Sequence, residues 1–206
     1  ETIALGGTIK KLSKAKMDVS VLIIGGHLPP LYDKKNYELT KQESKKALKI
    51  LGVKNTYYFD LPATEFHQKY YKIMNSKMSV LINRLNPKTV FIPFPDRHID
   101  HRTVFDCSMV NTRPNKKKYP KFVLSYETLS ETHWNAPYIE PNFVPDFFVN
   151  IDDTIKDKLT ALNCYKSQIK DNKSRSLKSV KALANFRGSQ NGCDFAEGLK
   201  LIRAIV

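Results

Sequence analysis

Apolar positions along the chain follow two spacings that alternate. Short runs rich in β-branched and aromatic residues predict strands at residues 19–24, 56–59, 90–94, 122–126 and 147–151. Longer stretches with helical spacing predict helices at residues 2–16, 38–51, 65–85, 155–168, 177–185 and 195–204, and another that begins near residue 101. Strands that alternate with helices imply right-handed crossovers. The pattern therefore predicts an α/β fold with a mostly parallel sheet.

Glycines refine two of the predicted helices. Gly52 follows the helix at residues 38–51 and is expected to cap its C-terminus. Gly6 and Gly7 weaken the first helix in propensity, but they allow its backbone to approach another element closely.

Length and composition indicate one folded domain over residues 1–206. The chain is 41% hydrophobic and 26% charged, which argues against disorder. It contains no run of about 18 apolar residues and no signal-peptide pattern at its beginning, so we expect a cytoplasmic protein. Cys107, Cys164 and Cys193 show no paired spacing, which suggests neither a disulfide framework nor a cysteine zinc site.

The charge balance is strongly basic. Lys and Arg number 34 against 20 Asp and Glu, a net charge of +14. Such a positive electrostatic field attracts phosphates, acidic glycolipids, anionic membranes or nucleic acid, and the net charge alone does not indicate which of these is the ligand. Basic and aromatic residues do not interleave, and no phosphate-binding glycine motif is present, so nucleic acid is not expected, while peripheral membrane association stays open. The run Lys116, Lys117 and Lys118 predicts a solvated loop.

A dense group of titratable side chains follows the predicted strand at residues 90–94. Residues 96–102 contain two imidazoles, two carboxylates and two guanidinium groups where a helix should begin, at the strand end where α/β folds place their sites. His98 and His101 can converge on one point, and Asp100 can hold an imidazole in one tautomer. This is the form of a metal or acid–base site. The alternative is helix capping by Asp96 or Asp100 with solvent-exposed histidines.

Three further residues are candidates for substrate binding. His133 and Trp134 could form a sugar-stacking lip, because aromatic faces suit pyranose rings, or could simply pack in a loop. Arg97 is the third candidate, beside His98.

The stretch His98-Ile99-Asp100-His101 resembles the second motif of the LmbE/PIG-L deacetylases. The resemblance implies a Rossmann-like three-layer fold, His101 as a Zn²⁺ ligand, His98 as the catalytic imidazole, and Asp100 as the group that orients and polarises it. Other stretches are similar to landmarks of the same family: residues 1–9, residues 140–143, residues 164–168, Arg187 with Gly188, and Ala196 with Glu197.

Two departures from the family pattern accompany the resemblance. The opening family motif is His-Pro-Asp-Asp-Glu, and this sequence begins at a residue similar to its last position, Glu1. We therefore expect the two remaining zinc ligands, and the first strand of the sheet, upstream of Glu1, and expect the chain as given to be inactive by itself. If Glu43 is the family's helix glutamate, Thr40 replaces an arginine and Lys41 stands beside it.

The implied activity is hydrolysis of the N-acetyl group of an amino sugar or glycoconjugate. The sugar could be free, nucleotide-linked or lipid-linked, and the basic charge would suit a phosphate-bearing one. The alternative is a non-catalytic basic α/β module that binds glycan, an anionic surface or nucleic acid.

Overall fold

A computed structural model describes residues 1–115, 118–169 and 173–206, so Lys116 and Lys117 of the predicted lysine loop lie outside the described residues. The α-helices are α1 Thr2–Lys14, α2 Lys34–Leu51, α3 Tyr71–Leu85, α4 Ile99–Asn111, α5 Ile155–Leu162, α6 Lys166–Ile169 and α7 Leu177–Ser189. The strands are β1 Ser20–Gly26, β2 Asn55–Pro62, β3 Thr89–Pro93, β4 Phe122–Tyr126, β5 Phe147–Asn150 and β6 Ala196–Ala204. A π-helical turn, Phe66–Tyr70, precedes α3, and a 3-10 turn, Thr132–Trp134, follows β4.

The predicted α/β class is confirmed, and most predicted elements are present. All five predicted strands form, with bounds that differ from the prediction by a few residues. The helix at residues 38–51 begins earlier, because the Asp33 side chain accepts a hydrogen bond from Lys35 N, and it ends at Gly52 with φ 78° as predicted. The predicted helix at 155–168 is two helices, α5 and α6.

The predicted helix at residues 195–204 is wrong, because this segment is strand β6. Its composition favours helix, yet β6 forms an antiparallel ladder with β4 in which Leu201 pairs with Leu124 and Leu199 with Tyr126. Leu199 is fully buried. Tertiary pairing therefore overrides the local propensity of this segment.

The chain forms two compact units, and each unit is discontinuous in sequence. Unit 1 comprises Glu1–Asp60 and Phe148–Gly198, and unit 2 comprises Leu61–Phe147 and Leu199–Val206. The prediction of one domain over residues 1–206 stays a prediction.

Unit 1 packs its helices around buried aliphatic side chains. Helix α1 contacts both α2 and α5, and α5 contacts α7. Ile151, Ile155 and Ala184 form a buried cluster there. The predicted close approach at the glycines of α1 is confirmed: a Cβ atom on Gly7 would lie 2.7 Å from Cγ2 of Ile151.

Unit 2 is built on the parallel pair β3 and β4. Their register aligns Thr89 with Phe122 and Pro93 with Tyr126, so both strands end at the same edge of the sheet. Helix α4 follows β3 and packs against it and against α3. Among the described helices, none is long and apolar enough to cross a membrane.

Candidate active site

The turn between β3 and α4 brings the predicted histidines together. His98 is the N-cap of α4, and its Nδ1 atom accepts a hydrogen bond from the backbone N–H of Asp100 at 3.1 Å. The imidazole rings of His98 and His101 are stacked, with centroids 4.9 Å apart. The three-residue spacing thus places both rings side by side at the carboxyl end of β3, as the sequence predicts.

His101 is held through one ring nitrogen by the carboxylate of Asp96. The Nδ1 atom of His101 lies 2.9 Å and 3.0 Å from the two carboxylate oxygens. The same carboxylate accepts hydrogen bonds from the Thr132 hydroxyl at 2.7 Å and from the His98 backbone N–H at 3.0 Å. An ionised Asp96 requires the proton on Nδ1 of His101, so Nε2 presents a lone pair when the ring is neutral.

Electrostatics support the ionised form of Asp96. Burial raises the pKa of this carboxyl group, but the hydrogen bond and charge of His101, with the donors Thr132 and His98, outweigh burial and lower the pKa below its usual value. Asp96 is 2% exposed. A buried carboxylate that stays charged is well suited to fix the orientation and tautomer of a histidine.

Asp100 differs from the sequence-based expectation in one contact. The family resemblance implies that its carboxylate orients His98 directly, but Oδ2 lies 3.9 Å from Nδ1 of His98, beyond hydrogen-bond distance. Oδ2 instead accepts a hydrogen bond from Thr64 N at 2.7 Å. Burial is the largest influence on the pKa of Asp100 and raises it, although the nearby histidines oppose this. Asp100 therefore acts on His98 through its backbone N–H and through space.

A second histidine of unit 2 is paired with a buried carboxylate. Nε2 of His133 lies 3.2 Å from Oε2 of Glu127, which follows β4 directly. Trp134 is an exposed residue, with 60% of its surface accessible. Nη1 of Arg97, the remaining substrate-binding candidate, lies 3.5 Å from Oε2 of Glu140. The substrate-binding roles of these residues stay predictions.

In unit 1, several landmarks of the family resemblance are hydrogen-bonded to one another. The Glu1 carboxylate accepts a hydrogen bond from Tyr165 at 2.8 Å. Glu43 accepts hydrogen bonds from the backbone N–H and the hydroxyl of Ser167 at 2.9 Å and 2.6 Å. Glu1, at the start of α1, and Glu43, in α2, are thereby both hydrogen-bonded to the segment after α5.

The two residues at the departure from the family pattern have partners of their own in unit 1. Thr40 Oγ1 accepts a hydrogen bond from Gln168 Nε2 at 3.3 Å. Lys41 Nζ lies 2.7 Å from Asp60 Oδ1 and 4.6 Å from the centroid of the Tyr58 ring.

Glu197 forms a buried ion pair inside unit 1. Its carboxylate accepts hydrogen bonds from the backbone N–H groups of Gly7 and Thr8, each at 2.8 Å, and from Lys158 Nζ at 2.6 Å. Lys158 also donates to the Ala4 carbonyl at 3.2 Å. This ion pair serves helix α1, and we assign it a structural role.

Comparison with known proteins decides the family. The model of the GlcNAc-PI de-N-acetylase (PIG-L) family matches residues 1–110 of the 206 residues. The chain belongs to this de-N-acetylase family. The matched region includes the whole β3–α4 turn with Asp96, His98, Asp100 and His101.

Individual relatives agree with the family assignment. The chain is 26% identical to the diacetylchitobiose deacetylase of Thermococcus kodakarensis, over 98% of this chain and 79% of the relative. The N,N'-diacetylchitobiose deacetylase of Pyrococcus horikoshii, solved with its inhibitor MPG, is similar in structure, with a TM-score of 0.76, 22% identity and coverage of 98% and 79% of the two chains.

The same fold also occurs in an enzyme of a different class. GalB, the 4-carboxy-2-hydroxymuconate hydratase of Pseudomonas putida KT2440, is similar with a TM-score of 0.77, 16% identity and coverage of 100% and 92%. Structural similarity at such identities shows the fold alone, so function has to be argued from the site.

The residues that the structure describes do not by themselves form a complete metal site. In the described ranges, no group of three or more His, Cys, Asp and Glu side chains could hold a metal ion. His101 fits one ligand position, because Asp96 holds its Nδ1 atom and leaves Nε2 for coordination. A catalytic zinc needs three protein ligands.

Sequence reasoning missed two carboxylates that the structure places at the site. The sequence pattern suggests only a helix-capping role for Asp96, yet its carboxylate contacts Nδ1 of His101, five residues away. Its position in the sequence could have indicated this role, because a carboxylate between a strand and a motif histidine can accept a hydrogen bond from that histidine as well as cap the helix. Glu127 carried no local signal, because its partner His133 lies in the turn that follows β4.

Proposed function

We propose that this protein is a deacetylase that hydrolyses the N-acetyl group of an acetylated amino sugar. The observation that supports this most is the Asp96–His101 pair with His98 stacked beside it at the carboxyl end of β3, in a member of a de-N-acetylase family. Positioned imidazoles at such a strand end suit acyl transfer, in which charge develops on the carbonyl oxygen and a proton must reach the leaving amine.

His98 is proposed as the catalytic imidazole. Nδ1 of His98 accepts the Asp100 backbone N–H, so Nε2 carries the proton in the neutral ring and can donate to the carbonyl oxygen or to the departing nitrogen. Oδ2 of the Asp100 carboxylate lies 3.9 Å from Nδ1 of His98, so its negative charge can stabilise positive charge that develops on the ring during proton transfer. Asp100 is thus a positioning residue.

We further propose that the enzyme depends on Zn²⁺. His101 would be one ligand, held by Asp96, and the other two are expected among residues that the family resemblance places before Glu1. A bound zinc ion would supply an activated water and polarise the acetyl carbonyl.

The substrate class is proposed as an N-acetylated hexosamine, alone or within a glycoconjugate. The similarity to a diacetylchitobiose deacetylase makes short N-acetylglucosamine oligomers the first substrates to test. The net charge of +14 would suit a nucleotide-linked or lipid-linked sugar that bears phosphate, and peripheral contact with a membrane is compatible with this charge. Reaction in the cytoplasm remains part of the proposal.

A second candidate function is a basic module that binds glycan or an anionic surface without hydrolysis. Two observations favour it: the charge of +14 and the finding that the described residues contain no group of three metal-binding side chains. The family assignment and the ordered Asp96–His101 pair make it the weaker candidate, and nucleic acid is not the expected partner.

A substrate panel tests the proposed function. The full protein, including whatever residues its gene encodes before Glu1, is incubated with N-acetylglucosamine, diacetylchitobiose and a nucleotide-linked N-acetylglucosamine, and released acetate is measured. N-acetylated amino acids serve as controls for general amide hydrolysis. We expect acetate from at least one sugar and little from the controls. Absence of acetate from every sugar with metal-loaded, folded protein would reject the enzyme proposal.

A further inference from the structure

A second carboxylate–histidine pair lies at the same sheet edge as the His98–His101 site. Strands β3 and β4 are parallel and in register, and Phe94 N donates a hydrogen bond to Tyr126 O at 2.9 Å where both strands end. Glu127 and His133 follow β4, as the candidate site follows β3. The end of the β3–β4 pair therefore presents two groups of titratable side chains.

In the Glu127–His133 pair, the glutamate is buried and the histidine is accessible to solvent. The Glu127 side chain is 5% exposed, whereas the His133 side chain is 39% exposed, and Oε2 and Nε2 lie 3.2 Å apart. A neutral ring that carries its proton on Nε2, the nitrogen nearest this carboxylate, has its acceptor on Nδ1. The pair thus places an accessible imidazole next to a buried carboxylate.

Hydrogen bonds connect this pair to the candidate site through the adjacent residue. Thr132 donates its hydroxyl to Asp96 Oδ2 at 2.7 Å, and its oxygen accepts the backbone N–H of Thr128 at 2.8 Å. The Asp96 carboxylate in turn holds His101. The 3-10 turn Thr132–Trp134 is therefore anchored to the carboxylate that orients a site histidine.

Trp134 completes the group with an exposed aromatic face. It lies in the same 3-10 turn as His133, and the residue is 60% exposed. A rigid aromatic ring beside a hydrogen-bonding group suits a pyranose ring, which has a C–H face and hydroxyls at its edge.

We propose that Glu127, His133 and Trp134 form a sugar-binding subsite beside the candidate active site. His133 accepts a hydrogen bond from a sugar hydroxyl, Glu127 positions the imidazole, and Trp134 stacks on the ring. The subsite rests on the proposed function, because it names the part of the substrate that this chain recognises. A hydroxyl is a better ligand here than a phosphate, because the Glu127 carboxylate beside the imidazole repels an anion.

The test measures binding rather than hydrolysis. Trp134 is the only tryptophan of the 206 residues, so its fluorescence reports directly on the subsite. The full protein is titrated with N-acetylglucosamine and with its 3-, 4- and 6-deoxy analogues. We expect saturable fluorescence changes, with one deoxy analogue bound about tenfold more weakly because it leaves the His133 acceptor unpaired.

Two variants test the assigned roles. His133→Phe keeps an aromatic ring but removes the acceptor, and Glu127→Gln removes the positioning charge. In both, the preference for N-acetylglucosamine over that deoxy analogue should fall to about one. Glu38→Gln, on the exposed face of α2, is the matched control and should keep the tenfold preference. Circular dichroism shows whether each variant is folded, and two independent variants keep the test decisive if one is not.

The outcomes separate the subsite from the proposed function. An undiminished preference in both folded variants, or Trp134 fluorescence that saturating sugar leaves unchanged, would overturn the subsite even if acetate is released. If the expected preference is lost in the variants while wild-type protein releases no acetate, the subsite stands and the deacetylase proposal fails.

Discussion

Asp96 accepts hydrogen bonds from three residues, namely His98, His101 and Thr132, and is nearly fully buried. At the residue scale it is the centre of the candidate site, because a single carboxylate fixes a histidine, the start of α4 and the turn after β4. The sequence suggests the histidines from their spacing at a strand end. It does not distinguish this aspartate from an ordinary cap, because the contact with Thr132 depends on the parallel pairing of β3 and β4.

The first prediction concerns Asp96 and metal affinity. Asp96→Asn removes the charge that holds Nδ1 of His101, so the affinity of the full protein for zinc should fall about 10-fold to 100-fold. Competition with a chromogenic chelator measures this affinity. His101→Ala should lower metal content further, and His98→Ala should leave it unchanged. Equal zinc affinity in wild type and both the Asp96 and His101 variants would show that His101 is not a ligand.

The second prediction separates Asp100 from metal binding. Asp100→Asn keeps the backbone N–H that His98 accepts but removes the carboxylate charge, so kcat should fall roughly 10-fold to 100-fold with little change in KM. His98→Ala should cost at least as much, and the double variant should be scarcely worse than the worse single one. Steady-state kinetics at constant metal content measures these effects. Losses that multiply, or loss of zinc in either variant, would contradict the roles assigned to His98 and Asp100.

Asp100 should also shape the dependence of activity on acid pH, which is the third prediction. Burial raises its pKa above the usual value of about 3.9, so wild-type Asp100 gains a proton, and its charge effect on His98 is lost, as the pH falls through that raised value. The acid limb of the kcat profile should change in Asp100→Asn, which has no group to protonate. An identical acid limb in both proteins would contradict this.

At the element scale, the sequence predicts the elements whose type is set by the local spacing of apolar side chains. It does not predict an element whose type is set by pairing with residues distant in sequence. The strands β1 to β5 and the end of α2 at Gly52 follow from local patterns. Strand β6 does not, because its residues favour helix locally, whereas Leu199 pairs with Tyr126 of β4 and Glu197 is held by helix α1 and Lys158, all far away in sequence.

Helix α1 supplies the fourth prediction. Gly7→Ala places a Cβ atom 2.7 Å from Ile151 Cγ2, and this clash should outweigh the gain in helix propensity and lower the free energy of unfolding by about 1–3 kcal/mol. Denaturant unfolding measures the loss. Ile151→Ala in the same protein should relieve part of the clash, so the two changes together should cost less than their sum. A stabilised Gly7→Ala variant would show that α1 and Ile151 are not so close.

At the scale of the whole molecule, the net charge can be calculated from the sequence alone, because it does not depend on the fold. The charge does not identify the ligand, because a net charge of +14 would attract a phosphate-bearing sugar, an anionic surface or nucleic acid. What the sequence leaves undetermined is the ligand.

A salt titration distinguishes these ligands and is the fifth prediction. Duplex DNA bound nonspecifically should show the steep salt dependence of counterion release, whereas a nucleotide-linked N-acetylglucosamine bound at one site should show a shallow one. We expect the sugar nucleotide to remain bound at physiological salt and the DNA to dissociate. Tight, sequence-insensitive DNA binding under those conditions would favour the non-catalytic module.

The proposed activity is hydrolysis of the N-acetyl group of a sugar, with His98 of the β3–α4 turn as the catalytic imidazole. The most direct measurement is the stoichiometry of products from diacetylchitobiose or another N-acetylglucosamine substrate, with acetate and free amine quantified in the same reaction. Wild-type protein should release them in equal amounts, and His98→Ala, with its metal content intact, should release neither above about 1% of the wild-type rate. Equal rates for wild type and His98→Ala, or acetate without matching amine, would contradict the claim.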